Sequence, residues 1–362
     1  MKEERMMVKR KKEMKEFYRN FKGMPDRLLK YLEILLEEKD ASPYSYQDIM
    51  SFRRLAIEVT TKCNLNCLWC YRRDPNYKFI LNKNISVEKL KEFVKNTKGE
   101  FRIVHLGGLG EPTLHPHFLD IIELSKNLSE KIKVTTNGTL LTKRLINEMI
   151  KRELTHIEIS IDAFTEEKNR EFRGSDLKDL IEIAKYISNE TNLELQINSV
   201  VCSLNYEHLF PMVEVLENAK KLTVHTIPLF ETKQMRDIGV RRISDERYTS
   251  LLRKIKADIE KYNLDWKMSP PPEGAAMDPI IEMKRKKNIC FTCFEDPYLS
   301  VNCELLPCGR QKVYGGADAT VGFEKAWNHP KLVEFRKNML EGKYPLLCSQ
   351  LCYLKERQGV VE

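Results

Sequence analysis

The sequence predicts an α/β protein, a parallel sheet wound with helices and followed by a small cysteine-rich module. Six short β-branched runs alternate with amphipathic segments. That alternation is the pattern of right-handed strand–helix crossovers, in a sheet either open or curled into a barrel. The alternation stops at a Pro-rich stretch near Met268. With 42% hydrophobic and 31% charged residues, and only 15 Gly and 15 Pro among 362, the chain is globular, with one large core and room for a smaller domain.

In chain order, residues 1–50 read as a helical extension, with helices over 3–22 and over 26–38, the second entered through Pro25-Asp26. Strands are expected at 54–60 (RLAIEVT), 102–107 (RIVHLG), 131–136 (KIKVTT), 156–162 (HIEISID), 193–201 (LELQINSVV) and 221–228 (KLTVHTIP). Helices follow them, 142–153 and 178–189 carrying the clearest apolar stripes. The sheet domain is thus 51–267. MSPPPEGAAMDP at 268–279 breaks the period, and 268–362 form the cysteine-rich domain, with no further strand–helix unit.

The net charge of +8 is concentrated at one end. Nine Lys/Arg against four Glu in residues 1–22 give +5, leaving +3 for the other 340 residues, so the charge offers nucleic-acid binding little support. Met14, Phe17, Tyr18 and Phe21 fall at helical spacing, which reads as a solvated helix packing its apolar stripe on the main domain. Weak contact with a membrane surface through residues 1–22 is the alternative. The N-terminus has no apolar signal-like core, and no stretch approaches 18 apolar residues, so a cytoplasmic location is expected. There, clustered cysteines are more often metal ligands or catalytic thiols than disulfides.

Nine of the ten cysteines fall into two groups. Cys63, Cys67 and Cys70 stand in TTKCNLNCLWCY directly after the first strand. This spacing wraps three thiolates around one centre. Soft thiolates select zinc or iron–sulfur clusters, and a structural zinc site needs a fourth ligand, for which His105 is the candidate. A cubane held by three cysteines instead leaves one iron open for chemistry.

CNLNCLWC resembles the C-x3-C-x-aromatic-C signature of radical S-adenosylmethionine (radical SAM) enzymes. The resemblance implies a partial (β/α)6 TIM-like barrel with a small C-terminal cysteine-rich α+β domain. It also implies a [4Fe–4S] cluster on Cys63, Cys67 and Cys70 whose open iron chelates SAM, with Trp69 near the adenosyl group. Further cofactor residues are implied at successive strand ends. In GGLGEP, Gly110 and Glu111 match the family's G-E, with Leu109 where a glycine is commoner, and Glu111 would receive the ammonium of SAM. Asn137 of TTNG would bond ribose or carboxylate oxygens. Ser160 of ISIDA and Arg173 of EFRG resemble the pair that contacts ribose and carboxylate in relatives with a C-terminal cluster domain. Asp162 points toward the substrate side without an assigned role. His115 and His117 around Pro116 read as a helix start rather than a metal pair, and Cys202 as a small buried hydrophobe.

The second group is Cys290, Cys293, Cys303, Cys308, Cys348 and Cys352. Its end pairs alone would pass as a zinc ribbon. CFTCFEDPYLSVNCELLPC and FEKAWNHPKLVEFRKNMLEGKYPLLCSQLC resemble the start and end of the SPASM or twitch extension of radical SAM enzymes. Aligned so, Cys290, Cys308, Cys348 and Cys352 ligate one auxiliary [4Fe–4S] cluster. Cys293 stands where relatives often have Pro, and Cys303 where they have the Gly of a turn.

The expected function is reductive cleavage of SAM and hydrogen abstraction from an unactivated C–H, giving an oxidised or bond-forming product on a small molecule, lipid or peptide. A ferredoxin or flavodoxin would supply the electron. The alternatives are a redox-neutral epimerase with Cys293 or Cys303 as hydrogen donor, and a non-catalytic zinc-binding protein.

Overall fold

The computed structural model describes residues 54–75, 81–98, 101–269, 296–309 and 315–340, together with residues 12, 293 and 343. The helical extension expected over 1–50 and the basic segment 1–22 lie outside these residues, Lys12 apart. So do Cys290, Cys348 and Cys352.

The strands are β1 (Leu55–Glu58), β2 (Val104–Gly107), β3 (Ile132–Thr136), β4 (His156–Ser160), β5 (Glu194–Val201), β6 (Lys221–Pro228), β7 (Asp265–Ser269), β8 (Tyr298–Leu299), β9 (Glu304–Leu306) and β10 (Ala317–Asp318). They form one sheet in the order β10-β9-β8-β1-β2-β3-β4-β5-β6-β7. All pairs from β8 through β1 to β7 are parallel, and the β8–β9 and β9–β10 pairs are antiparallel. The six expected strands all form in the parallel array of a partial barrel. Met268, however, lies inside a seventh parallel strand, so the sheet continues past the point where the sequence pattern ends. DWKMS alternates polar and apolar residues but is short, and the Pro-rich run after it disguises the strand as a loop. The C-terminal segment also joins the same sheet, β8 pairing with β1.

The helices that position the site are α1 (Val87–Asn96), α2 (Phe118–Ser125), α3 (Lys143–Lys151), α4 (Glu166–Arg173) and α5 (Leu177–Glu190). Ser86 caps α1 and Thr142 caps α3, each side chain accepting the backbone N–H three residues on. At the other end of α4, Gly174 takes φ +82° and stops the helix. These helices and the parallel strands share a continuous core that includes Ile57, Leu106, Val134, Ile157 and Ile197.

The sheet face that carries Glu158 is polar. Glu158 at its centre takes the Lys133 ammonium at 2.6 Å and the Gln196 and Asn198 amides at 2.8 and 2.9 Å. It also accepts from Thr135 Oγ1, which bonds His105 Nε2 at 2.6 Å. A barrel interior filled by branched apolar side chains would not leave these groups half-buried.

Burial depresses the His105 pKa, with Arg54 and Lys133 adding to the shift and Glu158 opposing it. Burial works the other way on Glu158, but Lys133, His105 and Thr135 outweigh it and hold the carboxyl below its usual range. His225, which faces Gln196 and Asn198, is also depressed by burial. In each case the unfolded chain binds the proton more readily than the native one. Stability is therefore fully present above about pH 6.5, falls as the histidines charge in the unfolded state, and falls further below about pH 4.3 as Glu158 becomes protonated there. Denaturant midpoints between pH 8 and pH 4 should decline in that order, and Glu158→Gln should flatten the lower part of the curve.

Candidate active site

Cys63, Cys67 and Cys70 occupy the loop between β1 and a 3-10 turn, Tyr71–Arg73, and all three are half-buried with free thiols. The loop is held by its own backbone, the Cys70 N–H donating to the Cys67 carbonyl at 3.2 Å. Arg72 folds back on it, donating Nε to the Thr61 carbonyl at 3.1 Å. Burial pushes the Cys67 thiol up to about 11 against the pull of Arg173, and the nearby Cys63 and Cys70 raise it further. Burial raises Cys70 as well.

Three further strand ends converge on this loop. After β2, the Gly110 N–H bonds the Thr60 carbonyl at 3.1 Å and the Glu111 N–H bonds the Lys62 carbonyl at 2.7 Å, immediately before Cys63. Gly110 is required by this approach, since a Cβ there would stand 2.3 Å from the Lys62 carbonyl oxygen. Glu111 is buried. Its Oε1 accepts from the Thr113 N–H and hydroxyl and from the Thr136 hydroxyl, while Oε2 accepts from the Asn137 N–H at 2.6 Å. The carboxylate therefore ties the β2 loop to the end of β3, and only Oε2 keeps ready acceptor capacity.

Asn137 lies against the cysteine loop, its Nδ2 bonding Asn64 Oδ1 at 2.8 Å and standing 3.9 Å from Cys63 Sγ. From the end of α4, the Phe172 carbonyl accepts the Leu68 N–H at 3.0 Å, and the Arg173 carbonyl accepts from Cys67 Sγ at 3.8 Å. Trp69 turns inward, its ring centroid 5.3 Å from that of Phe172 and its Nε1 donating to Asp162 at 3.2 Å. Arg173 donates to the same carboxylate. Ser160 sits half-buried at the end of β4.

The structure brings Glu111, Asn137, Trp69 and Arg173 to the three-cysteine loop, together with Asn64, Arg72 and Thr136, whose only signal in the sequence is adjacency to a motif. The sequence reading aims Asp162 at a substrate. The structure instead points its carboxylate at Trp69 and Arg173. His115 and His117 behave as a helix start: His115 Nε2 bonds the Ile85 carbonyl at 3.0 Å, and His117 precedes α2 and bonds Asp120. Cys202 is buried with Trp69, Phe172 and Met235, and burial pushes its thiol up to about 11.

His105, the fourth ligand a zinc knot would need, is turned onto Thr135 and Glu158 instead. Among the described residues no three His, Cys, Asp or Glu side chains converge as a single-ion site requires. Three soft thiols on one loop with no fourth protein ligand among the described residues fit a cubane with an open iron. The Arg173 Nε, buried and without a hydrogen-bond partner, together with Glu111 Oε2, fits an amino-acid ligand beside it. A cavity of about 310 Å3 adjoins Cys70, bordered by Leu68, Tyr71, Arg73, Thr232 and Met235.

Residues 57–216 match the Radical SAM superfamily. Among curated relatives, the chain is 30% identical over 122 residues to a tungsten-containing aldehyde ferredoxin oxidoreductase cofactor-modifying protein of Pyrococcus furiosus, covering 32% of each. It is 28% identical over 192 residues to a GTP 3′,8-cyclase of Clostridium perfringens, covering 51% of this chain and 58% of that one. It is 24% identical over 181 residues to an AdoMet-dependent heme synthase of Methanosarcina barkeri, covering 50% of this chain and 51% of that one. The matches thus span between a third and somewhat over half of these relatives. The fold resembles that of Streptococcus suis SuiB bound to precursor peptide SuiA, with TM-score 0.62, 17% identity, and coverage of 92% of this chain and 77% of that one. It also resembles that of anSMEcpe with bound AdoMet, with TM-score 0.60, 18% identity, and coverage of 85% and 88%.

Proposed function

We propose that the protein binds a [4Fe–4S] cluster through Cys63, Cys67 and Cys70 and uses it with SAM to take hydrogen from an unactivated C–H, giving an oxidised or bond-forming product. The observation that carries this reading is the convergence of the three-cysteine loop with Glu111 after β2, Asn137 after β3 and Arg173 at the end of α4. The chemistry such a cluster supplies when bound is one-electron cleavage of SAM to methionine and a 5′-deoxyadenosyl radical.

The chain's own residues would bind and orient. Glu111 Oε2 would accept the ammonium of SAM in a charge-assisted bond. Arg173 and Ser160 would meet its carboxylate and ribose, Asn137 would bond ribose or carboxylate oxygens beside Cys63, and Gly110 would keep the β2 loop pressed on the cysteine loop. Trp69 would close the site near the adenosyl group. Cys290, Cys308, Cys348 and Cys352 would hold an auxiliary cluster, whose chemistry would be that of an electron acceptor; of these only Cys308, half-exposed just after β9, is described. A ferredoxin or flavodoxin would supply the initiating electron. The half-buried polar face around Lys133, Gln196 and His225 favours a substrate with hydrogen-bonding groups, whether small molecule or peptide, over the hydrocarbon part of a lipid.

An oxidative outcome is supported over epimerisation by the place of Cys303. It is 1% exposed in the hydrophobic core, and burial pushes its thiol up to about 12. Cys303→Ala should leave both product yield and deuterium uptake from heavy water unchanged. Loss of deuterium from the product would instead assign Cys303 as the hydrogen donor.

Anaerobically purified protein should be brown, carry about eight iron and eight sulfide per chain, and release 5′-deoxyadenosine from SAM on reduction. Two zinc ions, no colour and no SAM cleavage would overturn the proposal. No helix among the described residues is long and apolar enough to cross a membrane.

A further inference from the structure

We propose that Asp162 is a positioning residue of the cofactor site, fixing Trp69 and Arg173 through a single carboxylate. Asp162 is 1% exposed. Its Oδ2 takes Trp69 Nε1 at 3.2 Å and Arg173 Nη1 at 2.5 Å, while its Oδ1 takes the Val200 N–H at 2.8 Å. Asn205 Nδ2 bonds its carbonyl at 2.8 Å. The carboxylate is therefore anchored from β5 through the Val200 N–H, while Asn205 holds the Asp162 backbone in place, and the carboxylate cannot rotate without breaking the bonds its two oxygens make.

Its two side-chain partners come from elements that close the site from different directions. Trp69 belongs to the cysteine loop, between Cys67 and Cys70. Arg173 ends α4, where the Phe172 and Arg173 carbonyls already bind that loop. One oxygen thus registers the loop against the helix end. A guanidinium is a rigid fork of five donors, so fixing Nη1 also fixes the direction of the others. The Nε is among these, buried and without a partner. An arginine held in this way is preorganised for a carboxylate, and the ordering is complete before the ligand arrives.

The inference rests on the proposed role of Arg173 toward SAM, and the competing explanation is a buried ion pair that serves folding alone. A double-mutant cycle separates the two. SAM affinity is measured by equilibrium dialysis of labelled SAM against the anaerobically reconstituted full chain, for wild type, D162N, R173Q and D162N/R173Q. Iron content and melting temperature are recorded for each. Asn keeps an acceptor for Trp69 but loses the charge that aims Arg173, so D162N should bind SAM about tenfold more weakly. In the R173Q background the same change should cost less than about twofold. The reduced-cluster electron paramagnetic resonance spectrum of D162N should need correspondingly more SAM to reach its shifted form.

Wild-type affinity in a folded D162N, or the same loss in both backgrounds, would overturn the proposal. If D162N does not fold, R173Q and the charge-neutral double variant carry the test, with equal affinities expected and a further drop in the double variant contradicting it. Failure of the wild-type protein to bind SAM would instead overturn the proposed function.

Discussion

Replacing any one of Cys63, Cys67 and Cys70 by Ala is expected to abolish 5′-deoxyadenosine formation and to lower iron from about eight to about four per chain. The three thiols occupy one short loop, half-buried and clamped by the Arg72 guanidinium, and no His, Cys, Asp or Glu among the described residues completes a set around them. With three ligands the centre has no spare, so two would not hold a cubane against exchange. Iron analysis, absorbance near the charge-transfer bands and chromatography of the SAM cleavage products check the result. Cys202→Ala is the control, because that thiol packs with Phe172, Leu229 and Met235. It should cost modest stability and no iron. An unchanged iron count in all three loop variants would remove the cluster from this loop.

The second large effect is expected at Gly110. The methyl group that Gly110→Ala adds would lie 2.3 Å from the Lys62 oxygen, 2.5 Å from the Thr60 oxygen and 2.8 Å from the Thr61 carbonyl carbon. All three are backbone atoms of the segment leading into Cys63, so none can swing aside as a side chain could. The β2 loop must lift, breaking the Gly110 N–H bond to Thr60 and the Glu111 N–H bond to Lys62. Overpacking of this kind costs about 2–3 kcal/mol, and lifting Glu111 should weaken SAM binding more than tenfold, about 1.4 kcal/mol or more. Thermal melts and dialysis with labelled SAM measure the two losses separately. Leu109→Gly, at the position where the family more often has glycine, is the control and should bind SAM as wild type does. Normal melting and SAM binding in Gly110→Ala would show that the close approach has no role.

Much of the barrel was legible because each strand is locally self-consistent. HIEIS, ELQINSVV and KLTVHTIP alternate with β-branched residues, and TKRLINEMIKRE carries both its cap and its stripe. The predicted helices at 142–153 and 178–189 correspond to Lys143–Lys151 and Leu177–Glu190. β7 was not legible: five residues beside a Pro-rich run give too little periodicity, and their strand state comes from pairing with β6. The two-residue β8 is likewise made by its partner, β1. Cys303 shows the reverse case. It stands at a turn glycine's position in the sequence pattern, and its φ of +60° is a conformation that glycine adopts without strain.

The site divides along the same line. By itself the sequence determined the three-cysteine loop, the order of the strands that surround it and the residue types at their ends, because ligand spacing and strand periodicity are local properties of the chain. Only the tertiary structure decided what those end residues face. It turned the Glu111 carboxylate onto Thr136 and Asn137, His105 away from the cysteines and into the polar interior, and Asp162 between Trp69 and Arg173. Trp69 and Asp162 are 93 positions apart in the chain. Their contact depends on how the cysteine loop, β4 and α4 pack together, and a buried carboxylate takes its partners from whatever donors that packing brings within reach.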